Sequence, residues 1–213
     1  MKYKQQNQTK KFFEADAKNW SIKSDFKKNN ILNSIQERNF YVLNQLRKYK
    51  LNSLLDVGCG TGDLCYRAAK ITELTLGIDF AENMIKIAKQ KFKKKNLKFL
   101  AENFFKIKTN KKFECISANG FIEYLSILDI KKFLDKSKVF LKKNGLIIFG
   151  SRNKLFNLYS LNKFSEEELK QRTFRKFYEE SILLNSCNFK KFIKIKKNTF
   201  EVKNFKQPKT GMK

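Results

Sequence analysis

The segment Leu54-Leu55-Asp56-Val57-Gly58-Cys59-Gly60-Thr61-Gly62 sets three glycines on alternate positions behind an acid. Glycines spaced this closely let a chain turn tightly at the end of a strand and let its backbone approach a ligand. A dinucleotide-binding turn carries its third glycine where Asp63 stands, and the Asp56 carboxylate would repel a pyrophosphate. The same carboxylate suits a nucleoside that bears an ammonium group and no phosphate. Asp79 lies 21 residues beyond Gly58, and its two oxygens can accept both hydroxyls of a ribose. Phe80 and Met84 can pack on a purine face, and Glu102 and Asn103 can read the purine edge.

These groups act together only if the fold delivers them to one edge of a sheet. The pattern predicts a helix over 30–50, then strands over 53–57, 74–79, 97–101, 113–118 and 145–150. Between them it predicts helices over 62–70, 81–95 and 129–142, the last with Ile130, Phe133, Leu134, Ser137 and Leu141 at helical spacing. Strands alternating with helices require a parallel sheet covered on both faces, with ligands at its carboxyl edge. Beyond Gly150, Ser165 and Glu168 form a capping-box signature for one more helix. The segments 189–195 and 199–205 read as two closing strands, too near each other in sequence to be parallel. The expected fold is therefore α/β: a doubly wound, mostly parallel seven-stranded sheet with an antiparallel closing strand. Residues 1–50 are expected to form an N-terminal tail, disordered over 1–11, and a helical lid. Residues 51–205 form the main domain with an insertion at about 151–175, and 206–213, around the sole proline Pro208, a loose tail.

On the Asp56–Gly62 segment, Asp79 and the order of elements, the chain resembles the class I S-adenosylmethionine-dependent methyltransferases, over roughly residues 19–205. The resemblance implies a Rossmann-like fold and S-adenosyl-L-methionine as cofactor. It assigns Asp56, Gly58, Cys59, Gly60, Thr61 and Gly62 to the methionine part and Asp79 to the ribose. Glu102 and Asn103 would flank the adenine. The fourth-strand segment Cys115-Ile116-Ser117-Ala118-Asn119-Gly120 would bring Asn119, with Phe121, into the cofactor pocket. Leu141-Lys142-Lys143-Asn144-Gly145 stands where relatives often carry Pro-Gly-Gly. Within the family the chain is most similar to small-molecule enzymes such as those of quinone biosynthesis, whose N-terminal lid is similar to Phe12-Phe13-Glu14-Ala15-Asp16-Ala17-Lys18-Asn19-Trp20. Trp20 is either a lid that closes over the sulfonium by a cation–π contact or an ordinary packing aromatic.

Those relatives often show a Glu-His pair after the fourth strand, where this chain has Glu123-Tyr124, and the chain holds no histidine. Glu123, Tyr124 and Tyr159 remain as candidate proton acceptors, each equally open to a structural role. An acceptor that is already an anion needs none. The aromatic and amide-rich run from Ser151 to Asn162 reads as a substrate-recognition insertion or as simple packing. In the first case Arg152, Asn153 and Tyr159 contact the substrate, Arg152 gripping an acidic group.

The net charge is +27, and of 47 basic residues only six are arginine, the other 41 being lysine. Nucleic-acid readers lean on arginine for bidentate contacts, so this excess is either base composition of the gene or a surface that attracts anions. Cys59, Cys65, Cys115 and Cys187 form no CxxC pair; with no histidine, no metal site is expected, and the cysteines are expected to be reduced thiols of a cytoplasmic protein. The apolar run Leu146–Phe149 is far too short to cross a bilayer. The leading expectation is methylation of a small molecule, anionic where the surface charge matters, and on oxygen. RNA ribose or ring-nitrogen methylation and a non-catalytic cofactor-binding subunit are the alternatives. Exocyclic-amine and pyrimidine-carbon methylation need prolines that the fourth-strand region lacks.

Overall fold

A computed structural model describes residues 2–25 and 33–150, together with Glu166, Leu169, Lys170, Arg175 and Tyr178, which are helical. The chain divides into two compact units, Met1–Ser151 with Lys213 and Arg152–Met212. The first unit carries all the elements that follow.

Helix α1 (Lys2–Ser24) precedes α2 (Ser34–Lys48), β1 (Ser53–Val57), α3 (Asp63–Ala68) and β2 (Leu74–Asp79). Helix α4 (Glu82–Lys91), β3 (Leu97–Ala101), β4 (Phe113–Asn119), a 3₁₀ turn at Ile122–Tyr124, α5 (Ile127–Phe140) and β5 (Leu141–Gly150) complete the unit. The five strands lie in the order β3-β2-β1-β4-β5, each pair parallel. Because β1 connects outward to β2 on one side and β4 lies on its other side, the strand order reverses between β1 and β4. A crevice opens at such a switch point, outside the carboxyl ends of the strands. Every residue of β1 is buried, as a strand covered on both faces requires.

Alternation along the strands sends Leu55, Val57, Ile78, Ile116 and Ala118 to one face, where Phe104, Phe113, Phe133 and Phe140 fill the space under α5. Leu54 and Cys115 face the opposite way and pack on Val42, Leu43 and Leu46 of α2. The helix starts are fixed locally. Asn33 and Gln36 form a reciprocal capping box for α2, and the Ser126 hydroxyl accepts from the Asp129 amide at α5. None of the described helices is long and apolar enough to cross a membrane.

Three expectations are corrected or bounded. Residues 2–11 are not a disordered tail but the first turns of α1, whose Thr9, Phe13, Ala17, Trp20 and Ser24 fall on one helical stripe against the domain. That stripe escapes an apolar reading because hydroxyl residues occupy two of its five positions. The described sheet has five parallel strands, not seven; the closing segments 189–195 and 199–205, the Ser165–Glu168 capping signature, the insertion 151–175 and the tail 206–213 lie outside the described stretches apart from the isolated helical positions. The predicted helix over 129–142 ends early. α5 stops at Phe140 and β5 starts at Leu141 without a loop, the extra residues being absorbed by a bulge in which Leu141 pairs Phe113 and Leu146 pairs Cys115. Asn144 takes φ 62° inside it, a conformation asparagine tolerates.

Candidate cofactor and acceptor site

The loop from Val57 to Gly62 is held from below. The amides of Gly58 and Cys59 both donate to the Ile78 carbonyl, 2.8 and 3.0 Å away, and the Gly60 amide donates to Asp79 Oδ2 at 3.0 Å. The Ala81 amide donates to Asp79 Oδ1 at 2.9 Å. Asp79 therefore ties the glycine loop to the start of α4, and each carboxylate oxygen keeps a lone pair for a ligand. Burial pushes its pKa up to about 6 against the two amide bonds, with the charges of Asp56 and Glu14 adding to the rise.

Above this floor lies a cavity of about 830 Å³ of empty space, part of it open to solvent. Of the residues singled out from sequence, Gly58, Gly60, Asp79, Phe80 and Met84 line it, as do Glu102, Asn103, Asn119 and Tyr124. Cys59, Thr61, Gly62 and Glu123 are not on its wall, and neither is Asp56. The Asp56 carboxylate is turned into the sheet instead, accepting from Ser117 Oγ at 2.5 Å and Cys65 Sγ at 3.3 Å. Burial pushes its pKa up to about 6. Asp56 is an internal brace between β1, β4 and α3, because the strand alternation that buries Leu54 carries Asp56 to the same covered face. Gly62 is a packing position: a Cβ there would stand 2.6 Å from Phe99 Cζ. Arg152, Asn153 and Tyr159 lie outside the described residues.

Sequence reasoning overlooked the Phe104–Phe105 pair and Thr9, which also line the cavity. Helix α1 supplies one wall through Thr9, Phe13 and Trp20. Phe13 meets Trp20 and Tyr124 edge to face, with ring centroids 5.7 and 5.4 Å apart. Trp20 Nε1 lies 2.9 Å from where a Cβ on Gly60 would be, so only glycine admits the indole. Side-chain hydrogen bonds hold α1 there. Glu14 receives the amides of Glu82 and Asn83, at 2.7 and 2.8 Å, and so caps α4, whose own Ala81 provides no side-chain cap. Ser24 donates to Asp63 Oδ2 at 2.8 Å, beside Thr61 and the Lys91 ammonium.

The electrostatics of the cavity oppose those of the chain. Its described wall carries two acids, Asp79 and Glu102, and no lysine or arginine, in a protein of net charge +27. Burial pushes the thiols of Cys59 and Cys115 up to about 11 and about 12, so both are neutral and poor nucleophiles near neutral pH. No metal-binding cluster occurs among the described residues.

A family model described as "Methyltransferase domain" matches residues 49–206. The chain belongs to that family. The crevice of this chain presents paired acceptor oxygens on Asp79 and an apolar, aromatic wall, with no lysine or arginine among the described lining residues. A Geobacillus sp. (strain WCH70) protein whose name gives a methyltransferase without a substrate is 31% identical over 113 residues, 50% of this chain and 45% of that one. The ubiquinone biosynthesis O-methyltransferase of Pelagibacter ubique (strain HTCC1062) is 29% identical over 160 residues, covering 70% of this chain and 65% of the relative. The chain thus spans less than two thirds of the length of either. Among solved structures, the N-methyltransferase NodS from Bradyrhizobium japonicum WM9 in complex with S-adenosyl-L-homocysteine shares the fold. Its TM-score is 0.53 at 22% identity, with 57% of this chain and 64% of that one covered.

Proposed function

We propose that this methyltransferase domain transfers the methyl group of S-adenosylmethionine to an oxygen of a small molecule. The observation that carries the reading is the crevice at the β1–β4 switch point, whose described wall holds two acids and no lysine or arginine and is closed on one side by aromatic rings of α1. The cofactor supplies a methyl group on a cationic sulfur that is displaced in line. Asp79 holds the ribose hydroxyls through its two remaining lone pairs, and Glu102 and Asn103 stand at the purine edge. Gly58 and Gly60 let the backbone close on the methionine part. Phe13, Trp20 and Tyr124 exclude water and favour a cation over their faces. Holding nucleophile and methyl in a near-attack arrangement supplies on the order of 7–11 kcal/mol without a catalytic group.

The choice of oxygen is supported by the likeness to the Pelagibacter ubiquinone biosynthesis O-methyltransferase. With no histidine in the chain, the acceptor is deprotonated before binding, or Tyr124, which lines the cavity from the 3₁₀ turn, takes its proton. Calorimetry with S-adenosylmethionine, S-adenosylhomocysteine and NAD tests the cofactor half. Tight binding of the first two and indifference to NAD is expected, and the reverse would overturn the reading. Labelled methyl appearing in the small-molecule fraction of a cell extract tests the acceptor half; label confined to RNA would replace it.

A further inference from the structure

The turn after β3, which carries Glu102, Asn103, Phe104 and Phe105 into the cavity wall, is wound around Asn103. The Asn103 carbonyl accepts the amides of Lys106 and Ile107, at 2.8 and 3.1 Å, and its Oδ1 accepts the Phe105 amide at 2.9 Å. With Oδ1 so engaged, the Nδ2 group is the part of that side chain left to donate to a ligand. Glu102 Oε1 accepts the Asn103 amide at 2.8 Å, and its other oxygen keeps its acceptor capacity. The start of the turn is tied to β2, where the Glu102 amide donates to the Asp79 carbonyl at 2.9 Å. Its far side is tied to α5 by Lys136, a half-buried residue that does not line the cavity. Lys136 Nζ donates to the Phe105 carbonyl at 2.8 Å and stands 5.7 and 5.6 Å from the ring centroids of Phe104 and Phe140. Burial there lowers the Lys136 pKa, and the charge of Glu102 opposes the fall.

We propose that Lys136 is the positioning residue for base recognition, fixing from behind the wall the turn that sets Glu102 and Asn103 toward the purine edge. This rests on the proposed use of S-adenosylmethionine and adds to it the source of the choice of base. The bonds around Asn103 are local to the turn and shape it without orienting it against the sheet. Burial of Phe104 is non-directional and leaves rotation open. A bond from a lysine to one carbonyl is directional, and the contact of the same ammonium with the Phe104 ring closes the second degree of freedom. The turn so held offers one acceptor and one donor side by side. An adenine edge answers with an amine that donates and a ring nitrogen that accepts. Hypoxanthine reverses both and leaves each wall group facing its like, which a site built on hydrogen bonds rejects.

The test titrates the full chain with S-adenosylhomocysteine and S-inosylhomocysteine, which share ribose and homocysteine and differ only in the base. Calorimetry is expected to show the adenine compound bound about tenfold or more tightly by the parent chain. Lys136→Met reduces that preference to about threefold or less, while Lys136→Arg, which keeps the donor and the charge, restores most of it. Lys136→Gln, too short to reach the carbonyl, loses the preference as well and keeps the ratio readable should Lys136→Met fail to fold. Hydrogen exchange quickens at the Phe105 and Ile107 amides of both variants, while β1 and β4 keep their protection. A lysine that merely stabilised the fold would lower both affinities alike and leave their ratio unmoved. That result, an adenine preference that survives both substitutions, or equal binding of the two compounds by the parent chain overturns the proposal. Failure of S-adenosylhomocysteine to bind in the first place overturns the cofactor reading instead.

Discussion

At the scale of single residues, the crevice works through one acid with two duties. Asp79 braces the glycine loop and the start of α4 with the same oxygens that face the cavity. Asp79→Ala is expected to weaken cofactor binding by about 1.5–3 kcal/mol, the scale of lost charged hydrogen bonds, with the sheet intact by circular dichroism. An unchanged dissociation constant would take Asp79 out of the site. Because its pKa stands near 6, the acid is charged above that pH and increasingly protonated below it. Cofactor affinity should therefore tighten as pH rises through 6 and level off beyond, with proton release on binding near pH 6 visible as a buffer-dependent heat. A flat profile would mean that the carboxylate does not face the ligand.

At the scale of elements, α1 is a wall held on α4 by Glu14 and on Asp63 by Ser24, among other contacts. Glu14→Gln removes the charge at the α4 N-terminus and is expected to loosen α1 by about 1 kcal/mol. Hydrogen exchange should then quicken in α1 while the amides of β1 and β4 keep their protection; uniform loss would show instead that Glu14 supports the whole fold. This part of the molecule shows where reading the chain succeeds. β1, β2 and β3 lie where the patterning put them, because Leu54, Leu55 and Val57 or Leu76 and Ile78 bury both faces and leave little choice of register. The place of Asp79 at the end of β2 and of the glycine turn after β1 was legible because the buried strands before them fix where each strand ends. Asp56 was misplaced: its proximity to the turn is visible in sequence, but the face its carboxylate takes depends on Ser117 and Cys65, which are close only after folding. The stripe on α1 was hidden for the same reason.

At the scale of the whole molecule, buried acids shape the pH response, Asp56 and Asp79 foremost. Asp56 and Asp79 have folded pKa values near 6 against an ordinary 3.8, so between those limits the folded state binds more protons than the unfolded one. Stability contributed by these groups must then fall as pH rises from about 4 to 6, by on the order of 3 kcal/mol for Asp56 alone. Urea denaturation at steps across that range is expected to show the decline, and Asp56→Asn to flatten part of it. A parent chain that grows steadily more stable over the same range would contradict the burial of these charges. The surplus of 27 positive charges lies outside the described cavity wall. Binding to transfer RNA is expected to vanish at moderate salt and to bring no methyl incorporation. Incorporation that persists in salt would make RNA the acceptor.

The indole of Trp20 resting over Gly60 has a kinetic corollary. With that ring packed on the loop, opening the crevice on the α1 side requires the helix to lift, so a fast first turnover should be followed by a slower steady rate, a burst whose height counts active sites. Trimming Trp20 to alanine should erase the burst by hastening departure, and would also let water reach the sulfur, so that speed is gained at the expense of retention.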